Sequence, residues 1–354
     1  MSLDRRTRLL RALDRLPVDR PPVICTGGSM TMVPAAVVAL SGCSLPEAHG
    51  DPRAMAALAL AAAHITGFET VGVPHCVTVE AEALGVEIDL GDAHTEARSV
   101  REPHASVTQV TLPSLSDLLE GGRVPVVVQA VRHLAESAGD LPICVNLLGP
   151  ACLAASLVEP TTLLRELRSR GDEVQGLLAQ ITDFLIAWSQ QLVAAGADVV
   201  VVHEDTLTPS LLGEKTFARV VAPHLQRLAR ALRALGTRSL LHMCGQLGGT
   251  VHRLEALGFD AYVPDHALSL GALTRDLPHT ALVGNVSTFL LHQGSPPALA
   301  EAARKLVREG LVGALSPACG MSSATGLDNI RAFTEAAKLQ PSSPQGVAFS
   351  SKAT

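Results

Sequence analysis

An alternation dominates this chain. Eight short apolar runs of β type, at 23–26, 70–76, 143–148, 198–203, 240–244, 261–264, 281–286 and 314–317, are separated by stretches with helical spacing. Most runs are apolar at nearly every position, the pattern of strands buried on both faces. Helical patterns cover 51–65, 160–194, 214–234, 250–257, 296–308 and 328–338. Asp51-Pro52 and Ser295-Pro296 read as caps followed by a proline in the first turn. Eight such units predict an α/β fold built as a single (β/α)8 barrel rather than an open doubly wound sheet.

Two places depart from the repeat. An N-terminal extension precedes the first run, and residues 77–141 are too long for one crossover. Within that insertion 101–112 alternates as a surface strand around Ser106-Val107-Thr108-Gln109-Val110, which predicts a small hairpin. Residues 1–340 are expected to form the barrel domain, and the Ser- and Pro-containing segment 341–354 a flexible tail.

Composition narrows the class. Hydrophobic residues make up 47% and charged residues 18% of 354, enough for a large core. Aromatics at 3% and a net charge of -6 argue against a nucleic-acid partner, which needs basic patches and stacking rings. No apolar signal core follows Met1-Ser2-Leu3-Asp4-Arg5-Arg6, and no run is long enough to span a membrane, so a soluble, cytoplasmic protein is expected. The seven cysteines are an odd count without an export signal, so reduced thiols are the default.

In a barrel, the chemistry sits where the strands end. The polar residues there are Cys25, His75, Cys76, Asn146, His203, Glu204, Asp205, His242, Cys244, Asp265, His266, Asn285, Ser287 and Cys319. The pattern His242-Met243-Cys244-Gly245 puts an imidazole and a thiol two residues apart, hence on one side of a strand. Cys319-Gly320 closes the eighth run. Two thiolates and one imidazole make a three-ligand zinc site with an open fourth position. Glu204 and Asp265 end the flanking runs and are the candidate catalytic carboxylates, either able to approach the metal, with Glu204 preferred. Asn146, His203 and Asn285 are substrate-binding candidates, and His203 and His266 also suit a supporting role. His224, His252 and His292 fall in or beside helices and read as surface residues.

Beyond spacing, the chain resembles the uroporphyrinogen decarboxylase-like superfamily, and within it the methylcobamide:coenzyme M methyltransferase branch. The resemblance spans most of the chain. It is carried by Arg20-Pro21-Pro22-Val23-Ile24-Cys25 with Gly27-Gly28, by Pro46-Glu47-Ala48-His49 with Asp51-Pro52, and by Thr66-Gly67-Phe68-Glu69 with Val71-Gly72-Val73-Pro74. Thr78-Val79-Glu80-Ala81-Glu82-Ala83-Leu84-Gly85 and Ala318-Cys319-Gly320-Met321 with Asp328-Asn329-Ile330 extend it. His242, Cys244 and Cys319 stand where that branch carries its zinc ligands. The resemblance implies methyl transfer from a methylcobamide, held on a small corrinoid-binding partner protein, to a thiol such as coenzyme M. A thiolate-rich zinc favours an acceptor sulfur over a hydrolytic water.

Three other readings stay open at this level. Tetrahydrofolate is an alternative acceptor. Uroporphyrinogen decarboxylase itself requires arginines after the first strand, where this chain has Thr26-Gly27-Gly28-Ser29-Met30-Thr31-Met32. A non-enzymatic zinc-holding barrel is the third. No arginine stands at the end of any run, although the sulfonate of coenzyme M would favour one.

Overall fold

The computed structural model describes residues 2–27, 33–247 and 251–339. Its centre is a parallel six-stranded sheet: β1 (Val71–Val73), β4 (Ile143–Leu148), β5 (Val199–His203), β6 (Arg238–Met243), β7 (Ala261–Pro264) and β8 (Ala281–Leu282), hydrogen-bonded in that order. A separate antiparallel pair, β2 (Ile88–Asp89) and β3 (Arg98–Ser99), lies in the insertion. Two further runs complete the circle through bridges rather than full ladders. Val283 and Val286 pair with Ala314 and Pro317, and Leu315 pairs with Val23. Ile24 N–H donates to Leu315 O, and Glu69 N–H donates to Val23 O on the far side. The eight expected runs therefore surround one axis, as a (β/α)8 barrel requires.

Side-chain parity separates two cores. Val199 and Val201 of β5, Leu240 of β6, and Ala261 and Val263 of β7 point inward and pack together. Val200, Val202 and Leu241 point outward against the helices. The barrel floor is corked by the helix Arg5–Leu13, whose Leu9 and Leu13 join the inner cluster. Asp4 caps that helix by accepting from Thr7 N–H. The extension thus closes one end of the barrel and leaves the other for a site.

Several expectations change in detail. The alternating segment at 101–112 is not a strand. Ser106 caps a short 3-10 turn at Val107–Gln109, and Val107 is buried beneath it. The hairpin lies earlier, at 88–99, where Asp92 ties the reversal by accepting from His94 N–H and Thr95 N–H. The long pattern at 160–194 breaks at Arg170 into Pro160–Ser169 and Gly171–Ala195. The stretch 214–234 divides at Val221, because Pro223 in the first turn of the second helix has no N–H to continue the first. His224 is buried rather than exposed, with Nε2 3.0 Å from Gln175 Oε1, and His292 is half-buried. The tail 341–354 lies outside the described residues.

Candidate metal centre

The inward parity of the strands continues past their ends. On β5 the sequence 199, 201, 203 leads to His203, and on β6 the sequence 240, 242 leads to His242 and then Cys244. His203 and His242 are register partners, and both are fully buried. Cys319 approaches from beyond the closing run. One donor atom each of His242, Cys244 and Cys319 falls within 4.8 Å of the others, and His242 Nε2 lies 3.2 Å from Cys244 Sγ. The three expected ligands thus converge at the barrel mouth, and Gly245, at φ 81°, turns the chain immediately beside them.

Parity also decides between the two expected carboxylates and adds a third. Glu204 follows the outward positions 200 and 202. Its Oε2 accepts from Ala151 N–H at 3.0 Å and its Oε1 from Cys152 N–H at 2.9 Å. These amides open the helix Pro150–Leu157, so Glu204 caps a helix rather than facing the metal ligands. Burial pushes its pKa up to about 7 despite those bonds. Asp205, one residue on, has the inward phase that Glu204 lacks. Its Oδ1 accepts from Cys244 N–H at 2.8 Å and lies 3.7 Å from His242 Nε2. Asp265 braces the adjacent turn, with Oδ2 accepting from Gly245 N–H and Oδ1 from Ala267 N–H. Asp205 stands among the strand-end residues of the sequence without an assigned role there; the period of two counted from His203 singles it out.

Charge at the site is crowded. Burial works against the charged imidazole of His242, yet Asp205 and Cys319 hold its pKa up to about 9. The Cys244 thiol is raised far above its ordinary value, first by its hydrogen bond with Cys319 and then by burial and Asp205. Two thiols, an imidazole and a carboxylate so close together form a donor set that a divalent cation would neutralise, and such a cation deprotonates thiols outright. The residues present therefore fit zinc.

The substrate-binding candidates divide. Asn146 Oδ1 and His203 Nε2 are 2.9 Å apart beside the ligands. Asn285 instead donates to the carbonyls of Asp265 and Leu268, and it lines a cavity of about 520 Å3 with Val286, Leu290 and Leu306. It supports the loop that carries Asp265. An arginine does reach the mouth rim, although none ends a strand. Arg123, from the start of the helix Val124–Ser137, donates to Glu82 at 2.6 Å, Thr78 Oγ1 at 2.8 Å and Cys76 Sγ at 3.3 Å. Glu80, beside it, is buried, with Oε1 accepting from Leu148 N–H.

Comparison with known proteins gives the family and the fold. The family model described as Uroporphyrinogen decarboxylase (URO-D) matches residues 4–339. The methylcobamide:CoM methyltransferase MtaA of Methanosarcina barkeri is 30% identical over 338 residues, covering 94% of this chain and 96% of the relative. The methylated-thiol–coenzyme M methyltransferase of Methanosarcina mazei is 26% identical over 339 residues, covering 92% and 90%. A solved methyltransferase from Methanosarcina mazei superposes with a TM-score of 0.87 at 30% identity, over 95% of this chain and 99% of the other. The resemblance drawn from the motifs at both ends of the chain is borne out.

Proposed function

The chain belongs to the uroporphyrinogen decarboxylase family, and from that premise we propose that it is a zinc-dependent methyltransferase. It would move a methyl group from a methylated corrinoid, presented by a small partner protein, to a thiol acceptor such as coenzyme M. The observation that carries this reading is the convergence of His242, Cys244 and Cys319 at the mouth of the barrel. The names of the relatives at 30% and 26% identity support the reaction class. No helix among the described residues is long and apolar enough to cross a membrane, in keeping with a protein that meets its partner in solution.

His242, Cys244 and Cys319 would hold the ion. Bound there, zinc supplies a Lewis acid that favours the thiolate form of an acceptor at neutral pH, far below the ~8.5 of a free thiol. The chain does the rest. Asp205 anchors the Cys244 amide, Asp265 anchors Gly245, and both fix the approach to the open position. The buried imidazoles and the inner aliphatic cluster beneath them keep bulk water from the floor of the site. The acceptor sulfur would attack the methyl carbon as the carbon–cobalt bond breaks, both electrons of that bond staying with the corrinoid. That leaving group takes no proton.

The decisive experiment is methyl transfer from methylcobalamin to coenzyme M, homocysteine and tetrahydrofolate, with zinc measured in parallel. About one zinc per chain and turnover with a thiol, both lost in Cys319→Ala, is the expected result. Full activity without zinc, or turnover with tetrahydrofolate alone, overturns the thiol reading.

A further inference from the structure

Two buried nitrogens beside the metal ligands have no hydrogen-bond partner: Nδ1 of His203 and Nδ1 of His242. They belong to register partners on β5 and β6 whose rings meet edge to face with centroids 5.2 Å apart. An unpaired polar atom at full burial is destabilising, so two on one strand pair require an explanation.

The tautomers supply one. Asn146 Oδ1 accepts only, so the 2.9 Å contact makes His203 Nε2 the N–H donor and leaves Nδ1 of His203 as a bare lone pair. On His242 the assignment is reversed. Its Nε2 faces Cys244 Sγ, where a ligand lone pair is needed, so its Nδ1 must carry the proton. One orphan is therefore an acceptor and the other a donor. The two rings, with centroids 5.2 Å apart, are close enough for one buried water to join the lone pair of one to the N–H of the other.

We propose that His203 is a positioning residue for the metal centre: through one buried water its Nδ1 accepts the Nδ1–H of His242, and Asn146 fixes the tautomer that makes this possible. The relay runs from Asn146 to His203, to water, to His242, with each donor meeting an acceptor. It turns His242 so that Nε2 is presented to the metal, and it assigns Asn146 and His203 to support of the site rather than to the acceptor. The inference rests on the metal reading above, but concerns which residues sustain it.

Histidine-ligand supports of this kind are worth about 10–100-fold in metal affinity. Zinc affinity is measured by chelator competition, and histidine tautomers by 15N NMR of the cadmium-loaded protein. His203→Phe, which keeps the ring and removes the acceptor, should weaken zinc about 10–100-fold. His203→Gln, which restores an acceptor, should stay within a few-fold of the parent. Asn146→Ala should reduce the fraction of His203 in the Nε2–H form and weaken zinc. The idea is overturned if Phe and Gln variants, both folded by circular dichroism, bind zinc alike, or if His242 in the parent binds cadmium through Nδ1. A parent chain that binds neither metal refutes the proposed function instead, and the His203 tautomer read in the metal-free protein still tests the Asn146 step.

Discussion

Glu204 lies so close to Gly149 that a Cβ built on the glycine would fall 2.3 Å from Oε2 and 2.8 Å from Cδ of the carboxylate. The carboxylate cannot retreat, because Oε2 and Oε1 are held by the amides of Ala151 and Cys152. Gly149→Ala should therefore break the cap or displace the helix Pro150–Leu157. A loss of about 1–3 kcal/mol in urea unfolding is expected. An unchanged midpoint would show that the helix shifts freely.

Substitution of Glu204 itself separates a cap from a ligand. Glu204→Gln retains one accepting oxygen and turns the other position into a donor facing an N–H. Stability should fall by about 1–3 kcal/mol while the zinc content of the folded protein stays at the parental level. Asp205→Ala, by contrast, should lower zinc retention, because it frees the Cys244 amide and removes the carboxylate 3.7 Å from His242. Zinc loss from folded Glu204→Gln would return Glu204 to the metal.

Glu80 predicts a pH dependence. Burial raises its pKa from 4.5 to about 8, and Oε2 has no hydrogen-bond partner. The folded carboxyl holds its proton where the unfolded one has released it, so folding takes up a proton between about pH 4.5 and 8. This contribution to stability is present below the unfolded value, declines as pH rises through the window, and levels off above it. Glu80→Gln keeps an acceptor for Leu148 N–H and removes the titration. Its unfolding free energy should match the parent near pH 5 and exceed it near pH 9, by on the order of a few kcal/mol. Parallel pH profiles for the two proteins would contradict the assignment.

At the closed end, Glu69 ties the N-terminal helix and the segment after it to the first run. It accepts from Arg20 at 2.6 and 2.7 Å, from Arg8 at 3.2 Å and from Val23 N–H at 3.0 Å. Arg8 and Glu69 are both buried. Glu69→Ala strands the Arg8 guanidinium and should cost about 3–5 kcal/mol by chemical denaturation, without altering the ligand set at the opposite mouth. A loss below 1 kcal/mol would mean that Asp19, 2.8 Å from Arg8 Nε, carries the pairing alone.

Much of this was legible before the fold was known, because the relevant rules are local. Buried parallel strands wear continuous apolar runs, and the eight runs found their places. His242 and Cys244 share a strand face by the period of two, and Cys319 stood out as the thiol that closes the eighth run, with the motif resemblance adding to it. Glu204 and Asp205 show where legibility ended. Adjacent carboxylates look alike in sequence, and only the phase inherited from Val199 and Val201 tells which enters the mouth. That phase could have been counted from His203, but the capping demand of Ala151 and Cys152 arises from a helix more than fifty residues earlier. The misplaced hairpin has a similar origin. Val107 alternates as a strand would, yet its burial is met by the Ser106-capped turn, with Glu166 of a distant helix accepting from both residues.

The bridge between Val23 and Leu315 has a consequence for biosynthesis. The barrel's first and last segments are neighbours, and Cys319 lies just past the seam. A nascent chain that has emerged through β8 already carries His242 and Cys244 but has only two of its three donors. The third arrives with the segment that shuts the ring. On the proposed metal reading, only a chain whose ring has closed presents all three donors to an ion.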